Sequence, residues 1–225
     1  MALNPALLQE IQVLLHSCAS ISPSSSAAGA DIYEAYVWAV AIDAASRVGA
    51  SVVYRNRQGQ ITTNLFFRAS PGRIGAASPA YTYAELLFPD CPILEAHIGI
   101  YVSGKSGVAH ECDVAVLHKE EADRCRADQT LNPRGSSVEL AAECKFYPES
   151  RAGINLARSF LGLVKDIQPY FRFFVCSRRA DRIKKLLHRH HQWYELDVVP
   201  TNQTSQNRLR ALFENTFVQF KARYL

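Results

Sequence analysis

The sequence predicts a mixed α/β domain in which one central β-sheet carries helices on both faces. Three observations carry the prediction. Helical and strand periodicities follow one another as helix, several antiparallel strands, helix, strand, helix, strand. Residues 170–176, YFRFFVC, are apolar almost throughout, as a central strand covered on both faces would be. Residues 32–48, IYEAYVWAVAIDAASRV, are apolar nearly all round, as a helix buried against a sheet would be.

Taken in order, Asn4-Pro5 reads as an N-cap and first helical residue. Leu7, Leu8, Ile11, Leu14 and Leu15 mark one face of a helix ending near Ser17. Residues 18–30, rich in Ser and Ala, read as a linker, giving an N-terminal segment 1–30 and a main domain 31–225. Asp31 opens the buried helix, and Gly49 stops it. Residues 51–55 and 61–68 read as a hairpin with Gly59 in its turn, and 70–79 as a Gly/Pro/Ser loop. Residues 81–87 read as a short helix. Residues 93–102 and 108–117 read as strands joined by SGKSG. Residues 118–137 are polar and charged, an excursion that returns as strand 138–147. Helix 150–166, strand 170–176, basic helix 178–191, strand 193–199 and helix 208–220 complete the chain.

Composition excludes several classes. The chain of 225 residues is 48% hydrophobic and 20% charged, as in ordinary globular proteins. No apolar run reaches the ~20 residues needed to span a bilayer, so no membrane role is expected. Gln9, Glu10 and Gln12 interrupt the N-terminal apolar stretch, against a signal peptide. Six cysteines (18, 91, 112, 125, 144 and 176) show no CxxC pairing, and 112, 144 and 176 read as buried thiols. A cytoplasmic location follows as the expectation, and zinc is not expected. The net charge of +4 is compatible with a polyanionic partner without demanding one.

Chemistry concentrates on two strands, 110–117 (HECDVAVL) and 138–147 (VELAAECKFY). Side chains alternate between faces along a strand, so Glu143 and Lys145 share one face while Ala142, Cys144 and Phe146 form the apolar one. Asp113 sits likewise between Cys112 and Val114. If the strands pair, Asp113, Glu143 and Lys145 converge. Two acids that close repel unless a cation lies between them, and oxygen ligands suit Mg²⁺ or Mn²⁺. A lysine beside such a metal orients or deprotonates a water for attack on a phosphodiester. The plainer reading is an exposed ladder of cross-strand ion pairs. Glu111 and Glu139 are expected on the same respective faces, with Glu111 one pleat from Asp113. Glu34 has two open readings: with Asp31 it has the spacing of a capping box, or it reaches toward Asp113.

Gly99-Ile-Tyr-Val-Ser-Gly104-Lys105-Ser106 satisfies the phosphate-loop pattern GxxxxGK[ST] letter for letter. That pattern works by wrapping phosphate at the start of a helix. Ile, Tyr and Val inside it favour extended backbone, and a strand pattern follows. A hairpin turn explains GKSG without a nucleotide.

The arrangement resembles the PD-(D/E)XK nuclease superfamily, with its restriction-endonuclease-like core of a helix, a three-stranded antiparallel meander, a helix and a further strand. Asp113 matches the motif's Asp, Glu143-Cys144-Lys145 its tripeptide, and Glu34 its optional acid on the first helix. The resemblance covers roughly residues 31–177 and departs at Cys112, where the motif's Pro would stand. It also requires residues 118–137 to be an insertion. It implies cleavage of DNA with Mg²⁺ (Mn²⁺ substituting) as cofactor. Asp113, Glu143 and the Cys144 carbonyl are the implied ligands, and Lys145 acts on the water. Arg151, Asn155 and Arg158 become candidate phosphate contacts, because in that fold the following helix borders the substrate groove. The basic helix 178–191 is a second candidate surface.

The resulting expectation is a Mg²⁺-dependent endonuclease in prokaryotic defence against foreign DNA, its specificity supplied by a partner protein or a homodimer. The alternatives are a Holliday junction resolvase-like nuclease, a silent nucleic-acid-binding module of the same fold, and an NTP-dependent switch at Gly99–Ser106.

Overall fold

The computed structural model describes residues 5–15, 20–22, 29–77, 80–147 and 152–224. Helix α1 (Pro5–Leu14) starts with Pro at the first helical position and buries Leu7, Ile11 and Leu14. Helix α2 (Gly29–Arg47) buries 14 of its 19 residues, which is why no polar face was visible in its sequence. Each large apolar side chain among them contributes about 1.5–3 kcal/mol by leaving water. The helix ends as expected at Gly49, whose φ of 100° suits only glycine comfortably. There the Gly49 and Ala50 amides donate to the Ser46 and Ala45 carbonyls, the double bond of a Schellman motif.

The expected mixed α/β architecture is present: among the described residues six α-helices flank a seven-stranded sheet. In spatial order its strands are β2 (Ser51–Asn56), β4 (Thr82–Leu87), β5 (Leu94–Ser103), β6 (Ala109–His118), β7 (Val138–Lys145), β8 (Phe171–Cys176) and β9 (Trp193–Leu196). Neighbours are antiparallel as far as β7, and β7, β8 and β9 run parallel. On one face α1, α2 and α6 (Gln203–Lys221) enclose the main core. On the other lie α3 (Lys119–Ala127), α4 (Ile154–Ile167) and α5 (Asp181–Arg189). Among the described residues no helix is long and apolar enough to cross a membrane.

Four sequence expectations need correction. Residues 81–87 are not a helix: β4 pairs with β2 and β5, and its Glu85 is held by Arg55 at 2.6 Å. Six residues gain little as an isolated helix, whereas a strand between two neighbours satisfies both backbone edges. The turn at Gly59 does close, with the Asn56 amide donating to the Gln60 carbonyl at 2.8 Å. The chain then leaves the sheet, and β3 (Asn64–Phe66) pairs instead in parallel with β1 (Ser20–Ser22), inside the segment read as linker. The excursion 118–137 contains α3, whose buried Glu121 accepts hydrogen bonds from Arg124 and Arg134. Helix α6 begins five residues before Arg208, where the Asn202 side chain caps it by accepting from the Ser205 amide at 3.2 Å.

Candidate active site

Strands β6 and β7 pair from Leu117↔Val138 to Val114↔Ala142 and then part. Beyond that point β7 is held from its other side, by β8, through Glu143↔Phe174 and Lys145↔Cys176. The Asp113 carboxylate enters the opening. Its Oδ2 accepts the Cys144 amide at 2.7 Å, replacing the main-chain partner that β6 no longer offers, and lies 3.4 Å from Lys145 Nζ. Lys145 Nζ is 2.6 Å from Glu143 Oε1. The Cys144 carbonyl leaves the strand on the same edge as its amide and so also faces the opening. The carboxylates are largely buried, with Asp113 6% and Glu143 14% exposed, against 25% for Lys145.

Further acids surround this group. Burial, with Asp113 as the next cause, pushes the Glu143 carboxyl up to about 7. Burial, followed by the charges of Asp113, Glu111 and Asp31, pushes Glu34 up to about 9, and Lys145 opposes the rise. Glu111 is raised by burial and by Asp113. Burial disfavours the Lys145 ammonium, but Asp113 and Glu143 outweigh it and hold the amine above its ordinary range. One ammonium thus faces several acids crowded into one opening in the sheet, and the crowding is relieved by carboxyls that hold their protons to higher pH.

Helix α2 starts at Gly29, so Asp31 lies within its first turn and is not the helix cap. The expected capping box therefore does not form at that spacing, and Asp31 and Glu34 both enter the field around Asp113. Sequence reasoning assigned Asp31 only to the cap; its i, i+3 spacing to Glu34 was the available signal. Glu139 departs from expectation in the other direction. A register shift at Val116/Leu117 accompanies its turning away, toward His118 at 2.8 Å and the Arg223 guanidinium.

Among the described residues no three His, Cys, Asp or Glu side chains converge as a ready-made cage. The donors facing the opening are instead the carboxylates of Asp113 and Glu143 and the Cys144 carbonyl. An all-oxygen set with few protein ligands suits Mg²⁺, which keeps several waters or substrate oxygens when bound. Burial raises the Cys112 and Cys144 thiols well above their usual range, so neither offers a thiolate to a softer metal.

Of the expected phosphate contacts, Asn155 and Arg158 lie exposed on α4, with Arg158 donating to Asn155 Oδ1 at 3.0 Å. Arg151 lies outside the described residues. The phosphate-loop lookalike is the β5–β6 hairpin: the Gly107 amide donates to the Gly104 carbonyl at 3.0 Å, and β6 follows. Asp166 secures that turn, accepting from Ser106 Oγ at 2.5 Å and contacting His110 Nε2 at 2.6 Å. Because both groups meet the same Asp166 oxygen, the histidine does not stand between serine and aspartate as a catalytic relay requires. No family model, curated protein or solved structure matches this chain.

Proposed function

We propose that the protein is a Mg²⁺-dependent deoxyribonuclease of PD-(D/E)XK type that hydrolyses phosphodiester bonds. The observation that carries this reading is the parting of β6 and β7, which leaves Asp113, Glu143, Lys145 and the Cys144 carbonyl around one opening. An ion-pair ladder on a continuous sheet needs no such parting. Asp113, Glu143 and the Cys144 carbonyl would hold the cation, which supplies Lewis acidity toward the scissile phosphate. Lys145, kept protonated by its two acids, acts as a donor: it orients the attacking water and offsets charge developing on phosphorus. Glu34, whose carboxyl feels the charge of Asp113, is an additional acid. Attack forms a bond from the water oxygen to phosphorus and breaks the bond to the leaving oxygen; the proton that the attacking water gives up to solvent is matched by one that the leaving oxygen takes from solvent.

DNA is the substrate of this reading, and defence against foreign DNA its context, with specificity from a partner protein or a second copy of the chain. The free thiols at Cys112, Cys125, Cys144 and Cys176 are buried and fit a reducing cytoplasm.

The test is supercoiled plasmid incubated with purified protein and Mg²⁺ or Mn²⁺. Nicking or degradation is expected, EDTA stops it, and Asp113→Ala or Lys145→Ala lowers the rate by about 10²-fold or more. Lys105→Ala leaves the rate unchanged. Cleavage that survives both Asp113→Ala and Lys145→Ala refutes the reading.

A further inference from the structure

Strand β9 ends the sheet, and among the described residues its outer edge has no partner. Along that edge α5 and α6 frame an open groove of ≈ 1040 Å³. Lys184 and His188 of α5, Trp193 and Tyr194 of β9, and Arg208 and Leu212 of α6 line it. Two of the groove's acids are already neutralised: Glu195 by Arg208 at 2.8 Å, and Asp197 by Arg179 at 3.0 Å. Asp181 is the remaining acid in the lining. Lys184 has no acidic partner among the described residues, Arg182, Lys185 and Arg189 extend its positive charge along exposed α5, and His188 adds a hydrogen-bonding ring one turn on. Within the same groove Trp193 is 48% exposed, a large aromatic surface left in water.

The groove lies level with the candidate active site. Glu143 is in register with Phe174 and Phe174 with Tyr194, as Lys145 is with Cys176 and Cys176 with Leu196. Two strand spacings, about 10 Å, separate β7 from β9. The groove runs the length of β9, and its Trp193 is level, through Phe173, with Ala142, the residue before Glu143.

We propose that this groove binds single-stranded nucleic acid, with Trp193 stacking on a base and Lys184 and His188 meeting phosphates. Cations beside an exposed aromatic ring are what an unpaired strand needs, since every base offers a π-face while a paired base does not. An extended peptide added to β9 is the competing occupant. A four-residue edge gives it few main-chain bonds, and the unpaired Lys184 ammonium plays no part in strand addition. The inference rests on the nuclease reading in making the bound strand a substrate.

The experiment uses the full chain in EDTA, where cleavage cannot interfere. A fluorescein-labelled oligodeoxythymidylate of about 12 nucleotides is titrated by anisotropy against a duplex of equal length and an acidic peptide. Single-strand binding that weakens with salt is expected, together with quenching of Trp193, the exposed tryptophan; Trp38 is fully buried. Trp193→Ala should weaken binding about tenfold or more, and Lys184→Glu several-fold. Circular dichroism checks that both variants fold. Wild-type affinity in Trp193→Ala, preference for the duplex, or binding of the peptide but not the oligonucleotide would each overturn the proposal. Trp193-dependent binding without cleavage under any metal leaves the groove standing and removes the nuclease reading. Cleavage with Trp193-independent binding removes the groove alone.

Discussion

Replacing Lys145 by methionine keeps the aliphatic stem and removes only the ammonium. Glu143 then loses a partner at 2.6 Å and Asp113 one at 3.4 Å, and both carboxylates stay largely buried. Removing one member of a buried ion pair costs roughly 3–5 kcal/mol. Because Lys145 is 25% exposed, the lower end applies, about 3 kcal/mol. For a chain of 225 residues each kcal/mol moves Tm by about 2–4 °C, so Lys145→Met should melt roughly 6–12 °C below wild type in EDTA. Mg²⁺ at about 10 mM should then raise the variant's Tm more than that of wild type, because a bound cation replaces the missing charge. Scanning calorimetry near neutral pH measures both effects. A fall of less than about 2 °C would mean that the carboxylates are not held against each other. Equal Mg²⁺ shifts in the two proteins would reduce the group to an ion-pair ladder.

Two further outcomes concern the surrounding scaffold. Burial alone would raise Glu121, but hydrogen bonds from Arg124 and Arg134 hold it down, from 4.5 to about 2. The folded carboxyl therefore binds fewer protons than the unfolded one. Its stabilisation is complete above pH 4.5 and is lost as pH falls through about 2. The full shift corresponds to about 3 kcal/mol, and screening at Arg134, 65% exposed, leaves about 1–2. Urea unfolding should show Glu121→Gln less stable than wild type at neutral pH, with the gap closing toward pH 2; a gap constant with pH contradicts this. In Gly135→Ala the new Cβ would lie 1.9 Å from the Ile167 carbonyl oxygen and 2.7 Å from its carbon. These are backbone atoms, so the end of α4 must move, and a loss of about 2–3 kcal/mol or more is expected in thermal melts. An unchanged Tm would show that this contact yields freely.

Legibility followed the range of the interactions. Helix α2 could be read because burial on every side is written in its composition, and its end because a Gly49 in the left-handed region needs only local bonds. Strands β5, β6, β7 and β8 could be read from apolar runs and alternation. Strand β4 could not: TYAELL contains helix formers, and its extended state depends on β2 and β5 flanking it and on Arg55 reaching Glu85. The ladder between β1 and β3 joins residues more than forty positions apart and left no local trace. Glu34 was undecidable until the first residue of its helix was known.

Period-two alternation is a local property, so the sequence by itself determined that Glu143 and Lys145 share a face with Cys144 turned from them. Which backbone groups lose their partners is not local. Only the tertiary structure decided that β6 leaves β7 after Val114 while β8 keeps hold of it, freeing the Cys144 amide for Asp113. The same holds for Trp193, whose exposure depends on two helices and a sheet edge meeting without covering it.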